Sequence, residues 1–95
     1  MIQYGDDTEL DQDFIRASEE VKHLPKRPTD RDLLLLYGLY KQANEGSCKE
    51  SQKPPIYDLK NTAKWNAWSA NSGMSKNRAK TEYISLVENF RKKYA

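Results

Sequence analysis

A single cysteine, Cys48, leaves the chain unable to form a disulfide within itself. A lone thiol suits a reducing compartment. Long hydrophobic runs are also missing. The longest aliphatic stretch is Leu33 to Leu36, whereas a bilayer-spanning helix needs about 20 apolar residues. The opening residues Met1-Ile2-Gln3-Tyr4-Gly5-Asp6-Asp7 carry neither a basic stretch nor an apolar one, so no signal peptide is expected. His23 is the one histidine, which excludes a histidine cluster, and no metal site is expected. No P-loop and no Gly-rich dinucleotide fingerprint occurs. Strand-like alternation of useful length is absent. A formal charge of +2 is too small to draw nucleic acid by itself. These absences together describe a cytoplasmic protein without stable membrane insertion.

What remains is polar but not disordered. Of 95 residues, 37% are hydrophobic and 32% charged, and an aromatic content of 11% can support a thin core. One domain over residues 1–95 fits that length. Charge is uneven along the chain. Up to Glu20 the acids Asp6, Asp7, Glu9, Asp11, Asp13, Glu19 and Glu20 face one base, Arg16; from Lys60 onward the only acids are Glu82 and Glu88, against eight bases. The later half can present a positive surface to an anion, although a solvated helix face has the same composition.

Four amphipathic helices are expected. The first runs from about Glu9 to His23. Thr8-Glu9-Leu10-Asp11 resembles a capping box, with residues 1–8 ahead of the packed helices as a tail. Phe14, Ala17, Val21 and Leu24 recur at helical spacing, and Pro25 bars continuation. The second begins at Thr29 or Asp30, where Thr29 and Asp32 can cap each other, and ends at Gly46. Its stripe is Leu33, Leu36, Tyr37, Tyr40 and Ala43 or Asn44. Residues 47–57 read as a loop around Pro54-Pro55. The third helix runs from Asp58 or Asn61 to Asn71, with Ala63, Ala67 and Ala70 allowing a close neighbour and Trp65 and Trp68 supplying bulk. The fourth follows Ser75, with Ala79, Tyr83, Val87, Phe90 and Tyr94 as its apolar stripe. Arg91, Lys92 and Lys93 suit the dipole of its last turn. The pattern predicts an all-α four-helix bundle.

Two stretches carry chemistry. In Tyr37-Gly38-Leu39-Tyr40-Lys41, residues 37, 40 and 41 fall on one helical face. In Lys60 to Trp68, two lysines lie one turn apart beside two tryptophans. Ammonium groups next to aromatic rings suit a ligand that is part phosphate and part flat base. The same tyrosines would serve a core with hydroxyls at its rim. Lys60 and Lys64 repel each other in a bare helix, and either phosphate or solvent relieves that. His23 reads as a dipole partner at a helix end. No nucleophile–base pair and no carboxylate in an apolar setting appears, so no catalysis is expected. Other readings of the same chain are a protein-interaction module meeting a partner through its Tyr/Trp face, and a helix-turn-helix using Lys76, Arg78 and Lys80. The acidic N-terminal part disfavours the second, and no nucleic-acid partner is expected.

From Phe14 to Tyr94 the chain resembles the acyl-CoA-binding protein family, also called the diazepam-binding inhibitor family. The shared residues are Glu20-Val21-Lys22-His23-Leu24, Pro28, Tyr37-x-x-Tyr40-Lys41-Gln42-Ala43, Gly46, Asp58, Lys60, Ala63-Lys64-Trp65-x-Ala67-Trp68, Gly73-x-Ser75, Ala79 and Tyr83. The resemblance implies a four-helix bundle of that family's type, monomeric, that binds, buffers and transports long-chain fatty acyl-CoA without cofactor or chemical change. It implies that Tyr37, Lys41 and Lys64 hold the 3′-phosphate end of the CoA, with Gly38, Leu39 and Tyr40 in the same binding stretch. Tyr83 would meet the nucleotide, Lys22 and Lys60 would stand nearby, and Leu33 and Leu34 would line the acyl path. The chain departs from the family pattern at Asn61-Thr62, where a glycine commonly follows the lysine. Leu59 replaces a usual aromatic, Tyr57 a usual aliphatic, and the stretch from Ser47 to Lys53 is one residue longer.

Overall fold

The computed structural model describes residues 7–95. Among them are four α-helices and no strand: α1 Asp7–Glu20, α2 Asp30–Glu45, α3 Leu59–Ser69 and α4 Lys76–Lys93. Short 3-10 turns at Val21–His23 and Glu50–Gln52 extend α1 and punctuate the loop before α3. Helix α2 is the hub, packing against both α4 and α3, while α1 lies along α4.

The apolar stripes do what their spacing predicts. Phe14 and Ala17 of α1, Leu36 and Ala43 of α2, and Ala79, Tyr83, Val87 and Phe90 of α4 are buried together, with Tyr94 just past the end of α4. Three aromatic rings join three helices, Phe14 and Tyr83 in the core and Tyr40 at its edge. Phe14 stands 5.1 Å from Tyr83 and 5.6 Å from Tyr40, centroid to centroid. Such pairs add to the stability that burial alone provides.

Helix α1 starts earlier than its sequence suggests. Asp7 and Thr8 are already helical, so Thr8 is not the cap and these two residues do not belong to a tail; residues 1–6 of the expected tail lie outside the described residues. Acidic Asp7 and Glu9 favour the positive end of the helix dipole. Distant partners hold this turn. Asn77 donates to Asp7 at 3.0 Å, and Lys80 pairs with Asp11 at 2.6 Å.

At the start of α2 the expected reciprocal cap is relayed through another helix. Thr29 Oγ1 accepts from the Asp32 amide at 3.2 Å. Asp32 does not reach back to Thr29. Instead the Tyr94 hydroxyl accepts from the Thr29 amide at 3.1 Å and donates to Asp32 Oδ2, which also receives Lys93 Nζ at 2.7 Å. One phenol thus closes the cap and ties the end of α4 to the start of α2. The bonds from Lys93 and Tyr94 hold the buried Asp32 carboxyl below its ordinary value of 3.8. A folded-state value below the unfolded one means this contribution is complete above 3.8 and is lost as pH falls through the folded value. The stability difference between wild type and Asp32→Asn, followed by urea midpoints, should therefore be flat above that pH and narrow below it. A difference that widens on acidification would contradict the assignment.

Two glycines set the α2–α3 geometry. A Cβ at Gly38 would lie 2.3 Å from the Ala67 carbonyl oxygen, so only glycine permits this crossing without a shift. Gly46 ends α2 at φ +79°, its N–H returning to Gln42 O at 3.0 Å. Its carbonyl accepts the Trp68 indole N–H at 2.8 Å, which anchors α3 to the end of α2. The fully buried Gln42 donates to Met74 O at 2.7 Å and fastens the α3–α4 turn to the same point.

Candidate functional site

The α2–α3 crossing leaves an open groove on one side. Leu33, Leu34 and Tyr37 of α2 face Lys60, Ala63 and Lys64 of α3 across about 480 Å³, with Asp30 at one end. A second hollow of about 310 Å³ adjoins it, bounded by Val21, Lys22, Leu33, Leu36, Tyr37, Tyr40 and Tyr83. Leu33 and Tyr37 line both, so the two hollows are neighbours on the same side of α2. Most of their floor is aliphatic or aromatic, and their rim carries lysines.

The electrostatics differ from lysine to lysine. Lys22 pairs with Glu19 at 3.2 Å on the surface. Lys41 lies one turn beyond Tyr37, held against Glu45, with its ammonium 4.8 Å from the Trp68 ring. Lys64 stands over the Tyr37 ring at 5.4 Å. Among the described residues, neither Lys60 nor Lys64 is in an ion pair. They sit one helical turn apart, so each raises the cost of the other's charge. Asp30, the acid at the groove's end, is bound to Arg27 at 3.2 Å. Two uncompensated cations beside an apolar channel make a place for an amphiphile with an anionic head.

Tyr83 contributes as a neutral phenol. Burial, with Tyr40 beside it, pushes its pKa up to about 12. Its ring is 5.9 Å from that of Tyr40, which is 43% exposed and stacks on Phe14.

Of the Tyr37–Lys41 stretch, Tyr37 and Tyr40 line the hollows, whereas Gly38, Leu39 and Lys41 do not. Gly38 is buried against Ala67 at the helix crossing, with no surface for a ligand. Leu39 packs on the core and lines another groove of about 630 Å³ between α2, α3 and α4, which shares Leu34 with the first. The physical reason is the helical period: residues 38 and 39 are rotated by 100–200° from Tyr37. Trp68 is a core residue, 5% exposed. Trp65 is half-buried under Lys53, which stands 5.5 Å from its ring.

The family model described as "Acyl CoA binding protein" matches residues 11–87. The chain belongs to the acyl-CoA-binding protein family. Family members from distant organisms match it over most of its length. An acyl-CoA-binding protein homolog of Drosophila melanogaster is 45% identical over 86 residues, which is 90% of this chain and 99% of that protein. An acyl-CoA-binding protein of Dictyostelium discoideum is 44% identical over 82 residues, 86% and 96% of the two chains. Solved structures of the family superpose as well. Acyl-CoA-binding protein 2 of Oryza sativa gives a TM-score of 0.85 at 39% identity, covering 92% of this chain and 94% of that one. The all-α four-helix architecture is therefore the family's own.

Sequence reasoning passed over Asp30, Val21, Leu36 and Ala63 as lining residues. For Ala63 a signal existed: a small residue on the α3 face turned to α2 leaves room beside Tyr37. For Asp30 none did, because its role at α2's first turn already accounts for an acid there.

Proposed function

We propose that this protein binds one long-chain fatty acyl-CoA reversibly, as a single cytoplasmic domain and a monomer, and buffers and carries the thioester without altering it. The observation that carries this is the pairing of an apolar channel with two lysines lacking acidic partners, Lys60 and Lys64, around Tyr37. Lys64, Tyr37 and Lys41 hold the 3′-phosphate. Tyr40 and Tyr83 contact the nucleotide from the adjoining hollow with Lys22 at its edge, and Leu33 and Leu34 carry the acyl chain. Lys41 exchanges Glu45 for the phosphate when ligand arrives.

Magnitudes support such a ligand. Each methylene removed from water contributes about 0.8 kcal/mol, so a tail of about sixteen carbons supplies roughly 10 kcal/mol at most. Hydrogen bonds from ammonium to phosphate add about 1.5–3 kcal/mol each. Even after ordering costs, nanomolar binding at about −12 kcal/mol is within reach.

Isothermal titration with acyl-CoAs of graded chain length tests the proposal. One-to-one binding that tightens with length, far above that of CoA alone, is expected, and chromatography afterwards should return intact thioester. Affinity indifferent to chain length would sink the acyl assignment. Release of free CoA above a protein-free control would sink the claim that no chemistry occurs.

A further inference from the structure

The loop before α3 ends in a turn of unusual composition. The Asp58 amide donates to Pro55 O at 2.9 Å, which places Ile56 and Tyr57 at the two central positions of a hydrogen-bonded turn. Those positions are normally polar or glycine. Here Ile56 is 88% exposed and Tyr57 83%, and Leu59, the first residue of α3, is 78% exposed. They are the three most exposed large hydrophobic side chains among the described residues. None of them lines either hollow of the ligand site, so ligand binding does not account for them.

The turn is also held in shape. Thr62 Oγ1 donates to Pro55 O at 3.3 Å, and the Asp58 carboxylate caps α3 through the Asn61 amide at 3.3 Å and its side chain at 2.8 Å. Adjacent prolines fix the approach. The apolar side chains are thus presented outward by a built turn. Along the chain the flanking charge is mainly positive: residues 49–64 contain Lys49, Lys53, Lys60 and Lys64 against Glu50 and Asp58.

We propose that this tip docks reversibly on an anionic phospholipid surface, with Ile56, Tyr57 and Leu59 entering the headgroup boundary and Lys49 and Lys53 meeting lipid charge. Aliphatic side chains beside a tyrosine and lysines are what that boundary accepts. Each lysine near an anionic surface contributes attraction that salt weakens. Size argues against a stable protein partner: three side chains cover on the order of 500 Å², whereas a stable interface buries about 800 Å² on each partner. Leu59 is followed directly by Lys60 on the groove wall, so docking brings the acyl channel to the membrane from which a long-chain thioester would be drawn. This last point rests on the proposed function; the docking itself does not.

Co-sedimentation of the ligand-free protein with phosphatidylcholine vesicles, with and without phosphatidylserine, tests the docking. Binding is expected with phosphatidylserine and should fall with salt. Ile56→Ser/Leu59→Ser should lower partitioning more than about tenfold, since each buried aliphatic side chain contributes at least that factor. Lys49→Gln/Lys53→Gln should remove the preference for phosphatidylserine. Circular dichroism and acyl-CoA titration without vesicles should match wild type for the serine variant; loss of titration in wild type would count against the function alone. Equal sedimentation of the serine variant, or none by wild type, would overturn the docking. So would a concentration-dependent dimer that the serine substitutions abolish, because the tip would then be a self-interface.

Discussion

Phe14→Ala is expected to destabilise the fold by about 3–5 kcal/mol, the range for deleting a buried aromatic ring. Phe14 is 5% exposed and touches the rings of both Tyr40 and Tyr83. Its removal opens a void where α1, α2 and α4 meet, and the other buried residues of α1, Leu10 and Ala17, are too few to close it. Small domains have only about 5–15 kcal/mol in total, so much of the stability would go. Urea denaturation followed by circular dichroism measures this directly. The ligand site should weaken too, because Val21 and Lys22 reach the second hollow only while α1 stays docked. A loss below about 1 kcal/mol would mean that α1 is held mainly by its polar ties to Asn77 and Lys80.

Lys64→Ala should reduce acyl-CoA affinity by about 1.5–3 kcal/mol, roughly 10- to 150-fold, while leaving the fold intact. Its ammonium stands over the Tyr37 ring and has no carboxylate partner to leave stranded. An acyl-CoA lacking the 3′-phosphate separates contact from nearby charge. It should bind wild type poorly and lose little more in the variant, since both changes delete the same interaction. Lys92→Ala is a remote control that should show no coupling. Leu34→Ala should act oppositely, weakening long-chain ligands while sparing CoA itself. If Lys64→Ala costs the same with and without the phosphate, Lys64 acts elsewhere and the phosphate site is misplaced.

Much of the site was legible because helical spacing is a local rule. Tyr37 and Tyr40, at i and i+3, do share a hollow, and Lys60 and Lys64, at i and i+4, do share a groove wall. The resemblance chose which of these residues to name, and not all of them line the groove. Gly38 and Leu39 lie inside the motif in sequence but turn away from the groove in space. Which side of α2 meets α3 depends on a helix about 30 residues downstream, so no local reading could assign them.

The apolar periodicity, the caps at Thr29 and Ser75 and the stop at Gly46 sufficed for four helices near their true bounds, because these signals act within a turn or two of chain. Contacts between distant residues decided the rest. Tyr94 completes the cap of α2 from the far end of the chain, Asn77 and Lys80 extend α1 to Asp7, and the bare backbone of Gly38 sets how closely α3 approaches. Sequence specifies which residues can be apolar, charged or capping; only packing brings Tyr37 of one helix under Lys64 of another, where a solvated face becomes a site.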